Sequence, residues 1–241
     1  MLETITIFDD ETTKTPSSHR ITDIKAAVHD QNRVNIYLDD KFFCSLDISQ
    51  VVDFHLKIGK KISAEEKEQL KHASDFGKFY ARALEYALIR PRSSKEIHDY
   101  LQKKTLSRKV RVKNRKTGEY QIKEKKGYDK SLIPLVFARL EERGYIDDER
   151  FAHLWVENRN VSKGTSIKKL RQELQQKGIN HQIIEQVLSE SNRNDDDELR
   201  KIITKKRAKY PDEQKFIQYL LRAGFNYSDI LDALSEFSSG A

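Results

Sequence analysis

Two stretches of the chain, SIKKLRQELQQKGINHQIIEQVLSE from Ser166 and DEQKFIQYLLRAGFNYSDILDALSE from Asp212, align without a gap. Internal repetition of this kind restricts architecture before any other feature is weighed. Leu170, Leu174, Ile179, Ile184 and Leu188 fall opposite Phe216, Leu220, Phe225, Ile230 and Leu234, at the spacing of one apolar helix face. Gly178 pairs with Gly224, each suited to the left-handed residue that ends a helix. Asn180 pairs with Asn226, each suited to capping the helix that follows. The pattern predicts helix, tight turn, helix, twice over. A third copy is split into SKEIHDYLQKK and GYDKSLIPLVFARLEERGYI, with Gly127 and Asp129 in the turn positions and residues 106–127 as an insertion. Each copy follows a further helical stretch, at 75–89, 148–160 and 196–209, so the unit is three helices. A unit of about 50 residues buries little surface alone, and stacked neighbours are expected.

The period differs upstream. ITDIKAAV, RVNIYL and KFFCSL are short β-prone runs, with Asp39-Asp40 placed for a hairpin turn, and they predict a small antiparallel sheet. Residues 2–8 are also strand-like, and the polar stretch with Pro16 reads as a flexible lead-in. A short helix is expected at 49–55, and Ser63 with Glu66 has capping-box spacing for another. Ser93 with Glu96 repeats that spacing after Pro91. The expected fold is mainly α: three tandem three-helix repeats in an elongated array, preceded by a small β-containing N-terminal domain and carrying a β-hairpin insertion. The expected domains are 1–72, 73–146 with the insertion, 147–192 and 193–241.

Composition bears on function through charge. The chain carries 45 Lys+Arg against 38 Asp+Glu, a net +7. Nine basic and two acidic residues fall between Ser107 and Gly127, so this segment alone accounts for the excess. Val110 and Val112 alternate with charges, as do Tyr120 and Ile122, and Lys116-Thr117-Gly118-Glu119 supplies a turn. The segment predicts a basic β-hairpin that presents Lys109, Arg111, Lys113 and Lys123 on strands and Arg115 and Lys116 towards the turn, a form able to follow a phosphate backbone. Solubilising loops, by contrast, mix signs.

Catalytic chemistry has no visible seat. The seven histidines are scattered, no phosphate loop or nucleophile elbow occurs, and no cofactor is implied. Asp147, Asp148 and Glu149 could be read as metal ligands, but Asp147 stands where an N-cap belongs and acidic first turns complement the helix dipole. Asp195 to Asp197 invite the same reading. Phe151, Leu154 and Trp155 share a stripe that fits helix packing better than base stacking. Cys44, the only cysteine, suits a small buried thiol. No apolar run reaches the roughly 18 residues of a membrane span, and the start MLETITIFDDETTK lacks a secretory pattern, so a cytoplasmic, membrane-free protein is expected.

The run GYIDDERFAHLWVENR at 144–159, followed by Lys163-Gly164 and LRQELQQKGI at 170–179, resembles the signature of RecX regulatory proteins. The RPRS at 90–93, after LEYALIR, is similar to that family's first-repeat motif. The resemblance spans roughly 76–236. Its signature positions here are Gly144, Tyr145, Asp147, Asp148, Phe151, Ala152, Arg159, Gly164, Leu170, Glu173, Leu174 and Gly178, largely structural. It implies a crescent of three modules lying in the groove of the RecA–DNA filament, inhibiting ATP hydrolysis, strand exchange and co-protease activity. The implied partners are RecA and single-stranded DNA, with double-stranded DNA as a further one, and the implied state is a monomer. The candidate contact residues are the arm cations together with Arg90, Arg92, Lys163, Lys168, Lys169, Arg171 and Lys177, which could equally be solvated helix faces. The rival reading is a helix-turn-helix DNA-binding protein. Against it, HQIIEQVLSE and YSDILDALSE are acidic or neutral where a recognition helix needs base-reading side chains.

Overall fold

In the computed structural model the chain forms two compact units, one ending at Phe79 and the other starting at Tyr80. The structure describes residues 19–28, 30–114 and 117–239. The strand-like run at 2–8 and the lead-in with Pro16 lie outside these residues, as do Arg115 and Lys116.

The first unit is the expected sheet. Strands β1 (His19–Ala27), β2 (Asp30–Leu38), β3 (Lys41–Asp47) and β4 (Lys61–Ile62) are antiparallel in the order β3-β2-β1-β4. Asp39 and Asp40 both have positive φ, 48° and 62°, which gives the β2–β3 hairpin the turn twist that matches its strands. Ile21, Ile36, Leu38, Cys44, Leu46, Leu56, Ile62 and Leu70 form the core. Burial pushes the Cys44 thiol up to about 11, so it stays protonated and acts as a small apolar side chain. Helix α1 (Ile48–Asp53) takes the place of the short helix expected at 49–55.

Helix α2 (Ala64–Ile89) is continuous across residue 72. Its start is the predicted capping box: Ser63 Oγ accepts from Glu66 N–H at 3.1 Å, and the Glu66 carboxylate accepts from Ser63 N–H at 2.9 Å. No proline follows before Pro91, so one helix runs through what the sequence divides into two stretches.

In the second unit come α3 (Ser94–Thr105), strands β5 (Arg108–Lys113) and β6 (Tyr120–Lys125), and α4 (Leu132–Glu142). They are followed by α5 (Asp148–Asn158), α6 (Ile167–Gln176), α7 (His181–Glu190), α8 (Asp195–Lys206), α9 (Glu213–Arg222) and α10 (Tyr227–Ser239). The gapless repeat is realised position by position. Leu170, Leu174, Ile179, Ile184 and Leu188 are buried in one cluster, and Phe216, Leu220, Phe225, Ile230 and Leu234 are buried in another. Gly178 and Gly224 occupy the α6–α7 and α9–α10 turns with φ of 79° and 98°. Gly127 does not share that conformation, although it aligns with them. A Cβ there would stand 2.1 Å from the Thr105 carbonyl oxygen, so close backbone approach is what demands glycine.

One serine motif joins successive helix groups. Ser93 Oγ accepts from Glu96 N–H at 3.2 Å and donates to the Lys177 carbonyl at 2.8 Å. Ser166 Oγ accepts from Lys169 N–H at 3.1 Å and donates to the Ala223 carbonyl at 2.7 Å. Both carbonyls immediately precede a turn glycine. Beside each serine, the next N–H of the same helix start goes to an aspartate: Ser94 N–H to Asp148 at 2.8 Å, and Ile167 N–H to Asp195 at 2.7 Å. Asp147 caps α5 as expected, accepting from Arg150 N–H at 2.8 Å. Helix α8 is capped by Asn194 rather than an aspartate, which makes Asp195 the counterpart of Asp148. The expected box at Ser93 is only half made, because the Glu96 carboxylate instead binds Arg90 and Lys177.

The second joint adds a buried ion group. Glu198, 1% exposed, accepts from Thr165 N–H at 2.8 Å and binds Arg193 at 2.7 Å and Lys201 at 2.8 Å. Arg193 also donates to the Val156 and Arg159 carbonyls at the end of α5, both at 2.7 Å. Burial pushes the Glu198 carboxyl up, but the bonds from Arg193, Lys201 and Thr165 outweigh it, and the net position lies below the usual range.

Two predictions follow from these contacts. A Cβ at Gly224 would stand 2.5 Å from Ser166 Oγ, whereas one at Gly144, with φ of 71°, meets nothing within 4 Å. Gly144→Ala should therefore cost about 1–2 kcal/mol for its left-handed backbone alone. Gly224→Ala should cost clearly more in urea denaturation, and equal losses would refute the joint. Glu198→Gln should cost about 3 kcal/mol at pH 7, because Arg193 loses its buried counter-charge. A depressed carboxyl contributes stability above its unfolded pKa and loses it as pH falls through the folded value, so the gap to the parent should close from about pH 5 downward. A gap independent of pH would contradict this.

Candidate nucleic-acid interface

The charged insertion is a two-stranded hairpin, as its alternation predicts. Arg108 pairs with Lys125, Lys109 with Glu124, Val110 with Lys123, Arg111 with Ile122, Val112 with Gln121 and Lys113 with Tyr120. Directly opposed residues share a face, so the register sorts the side chains. One face carries Lys109, Arg111 and Lys113 with Glu124, Ile122 and Tyr120. The other carries Arg108, Lys123 and Lys125 with Val110, Val112 and Gln121. The Arg111 guanidinium lies 4.0 Å over the Tyr120 ring, and Tyr120 and Ile122 are exposed. The four cations expected on the strands are thus divided between the faces, with Lys123 opposite Lys109, Arg111 and Lys113. The far loop is closed by Asn114 N–H donating to the Glu119 carbonyl and Gly118 N–H donating to the Asn114 carbonyl, both at 2.8 Å.

At its root the hairpin is fixed to the end of α3. Tyr128 N–H donates to the Lys104 carbonyl at 3.1 Å, next to the close approach at Gly127. Here a cleft of about 400 Å³ is lined by Arg82, Lys103, Lys104, Arg108, Lys125 and Lys126, with Tyr100 and Tyr128 among its walls. The Lys104 ammonium lies 4.9 Å over the Tyr100 ring. Burial first, then the charges of Arg108, Arg82, Lys103 and Lys125, hold Lys104 below the ordinary lysine range. Sequence reasoning passed over these residues. The signal was present in the lysine pairs at 103–104, just before the insertion, and 125–126, at its far end.

The remaining candidate cations fall into two groups. Arg90 is bidentate to Glu96 at 2.9 and 3.0 Å, Lys177 binds the same carboxylate at 2.6 Å, and Arg171 is bidentate to Glu185 at 2.6 and 2.8 Å. Arg92 stacks 3.9 Å over Tyr86. Lys163, Lys168 and Lys169 have no carboxylate within ion-pair distance among the described residues. Of the signature positions, Phe151, Ala152, Leu170 and Leu174 are core, and Asp147 and Asp148 are the cap and clamp described above. Arg159 is bidentate to Glu173 at 2.7 and 3.0 Å, and Trp155 Nε1 donates to Glu173 at 3.1 Å, so the tryptophan packs against the α5–α7 core. Gly144 and Gly164 have positive φ, and Tyr145 is exposed. No group of side chains able to hold a metal ion occurs among the described residues, and no helix there is long and apolar enough to cross a membrane.

Comparison with known proteins agrees with this anatomy. The family model for the RecX second three-helix domain matches residues 147–188, and that for the regulatory protein RecX N-terminal domain matches residues 19–63. The second match takes in β1–β4, which the signature read from residues 76–236 did not reach. Regulatory protein RecX of Bacillus licheniformis is 30% identical over 223 residues, covering 90% of this chain and 76% of the relative. That of Clostridium tetani is 26% identical over 231 residues, covering 92% and 96%. A crystal structure of a regulatory protein RecX shares the fold with a TM-score of 0.65 and 24% identity, over 89% of this chain and 99% of that one. With both family models matched and a relative 30% identical over three quarters of its own length, the chain belongs to the RecX family of regulatory proteins.

Proposed function

We propose that the protein regulates the RecA recombinase by binding the RecA filament on single-stranded DNA and lowering its ATP hydrolysis, strand exchange and co-protease activity. The observation that carries this reading is a basic hairpin projecting from a helical body that carries the RecX signature. The helices offer a protein-binding surface, and the arm offers cations to the DNA that the filament holds. The protein works by contact, without a catalytic site of its own, as a monomer in the cytoplasm. Lys163, in the turn before α6, and Lys168 and Lys169, on α6, are the cations outside the hairpin best placed to serve, since Arg90, Arg171 and Lys177 already have carboxylate partners.

A regulator that blocks filament extension need not match every protomer. Titration into RecA assembled on single-stranded DNA should therefore reduce ATP hydrolysis at amounts below RecA's own, and equimolar protein that neither binds nor inhibits would refute the reading. The arm makes a separate prediction. If about four of its cations meet phosphates, log affinity against log salt has a slope near −3, from roughly 0.7 per contact. Replacing the arm by a short Gly-Ser turn should flatten that slope and leave the helices folded. An unchanged slope in a folded variant would return the arm to a solvated loop.

A further inference from the structure

We propose that the cleft at the root of the hairpin is a phosphate site that seats the backbone of a single strand of nucleic acid, an inference that rests on the nucleic-acid reading above. Six cations line it and no carboxylate does. Arg82 is already joined to Glu85 at 3.0 Å, but Lys103, Lys104, Arg108, Lys125 and Lys126 have no carboxylate within ion-pair distance among the described residues. Like charges gathered this closely repel one another, and the cost falls when an anion enters. Lys103 and Lys104 also stand in the last turn of α3, where the helix dipole favours cations, so the crowding has a local support. The walls are firm. Tyr100 stacks on Tyr86 with centroids 4.0 Å apart and planes 4° from parallel, and its hydroxyl donates to the Arg82 carbonyl at 3.1 Å.

Direction comes from the hairpin. Arg108 and Lys125, directly opposed at the mouth of the cleft, lie on the strand face that continues to Lys123. Successive residues on one face of a strand are about 6.8 Å apart, which makes a row of cations leading outward. An extended single strand can set one phosphate in the cleft and others along this row. A duplex carries its phosphates on a convex surface, and it reaches the exposed arm but not the half-buried Lys104.

The test is fluorescence anisotropy of a labelled oligothymidylate against the full chain over a range of salt. Lys103→Gln with Lys126→Gln removes two exposed charges, and Lys104→Gln alone probes the interior. Lys57→Gln with Lys71→Gln, both exposed on the first unit, removes the same charge as a control. The cleft pair should flatten the salt slope by about 1.4 and weaken binding roughly 25-fold at 0.1 M salt, at about 0.7 per contact. Lys104→Gln should flatten it by about 0.7. The control should keep the parental slope. Cleft variants that match the control while the parent binds would overturn the cleft alone, whereas a parent that binds neither oligonucleotide nor RecA filament would overturn the function beneath it. Equal loss on duplex DNA would overturn the single-strand assignment. Displacement of the oligonucleotide by inorganic phosphate at constant ionic strength would make this a free-anion site and overturn the backbone assignment.

Discussion

Two serine hydroxyls, those of Ser93 and Ser166, hold the helical unit together at its joints. A hydroxyl can accept and donate at once, so each caps its own helix and ties that helix to the carbonyl before a later turn. Asp212 stands at the matching place before α9 and only accepts, from Lys215 N–H at 3.2 Å, as an ionised carboxylate must. The aspartates that clamp the neighbouring N–H groups complete the arrangement. Burial, then the charges of Asp229, Asp196 and Glu198, raise Asp195 against the pull of the Ile167 N–H, so this clamp is held under electrostatic load. Hydrophobic cores stabilise each helix group, but they are non-directional. The hydrogen-bonded joint supplies direction.

That rigidity matters because the cations are distributed over several elements. Bidentate partners hold Arg90, Arg171 and Arg159 within the unit, so these residues fix geometry first. The strand cations of the hairpin and most of those in the cleft at its root have no such partner among the described residues. Paired charges keep the surface in shape, and unpaired ones are left available for contact.

The parts of this fold legible in the sequence were those with a local cause. The opposed apolar positions from Leu170 to Leu188 and from Phe216 to Leu234, the positive-φ glycines at 178 and 224, and the hairpin alternation all report their own period or backbone need. Ser166 looks like an N-cap in sequence, and it is one. Its second bond, to a carbonyl 57 residues away, leaves no local trace. Lys177 reads as a free surface lysine until Glu96, 81 residues distant, is placed beside it. Gly127 aligns with the turn glycines for a different physical reason, and α2 starts at the expected capping box but, with no proline before Pro91, runs on past residue 72. The cleft escaped notice because its cations come partly from α2 and α3 and partly from the two ends of the insertion, and they meet only when the hairpin is anchored to the end of α3.

The joint can be tested amide by amide by native-state hydrogen exchange. The N–H groups of Ser94 and Ile167 stand at helix starts, where exchange is ordinarily fast through local fraying. If the Asp148 and Asp195 clamps bind the helix groups into one cooperative body, both amides should exchange only through the opening that exposes Leu174 and Leu220, with the same free energy and the same urea dependence. Exchange of Ser94 and Ile167 through low-energy, urea-independent fluctuations, with Leu174 and Leu220 still protected, would contradict the account.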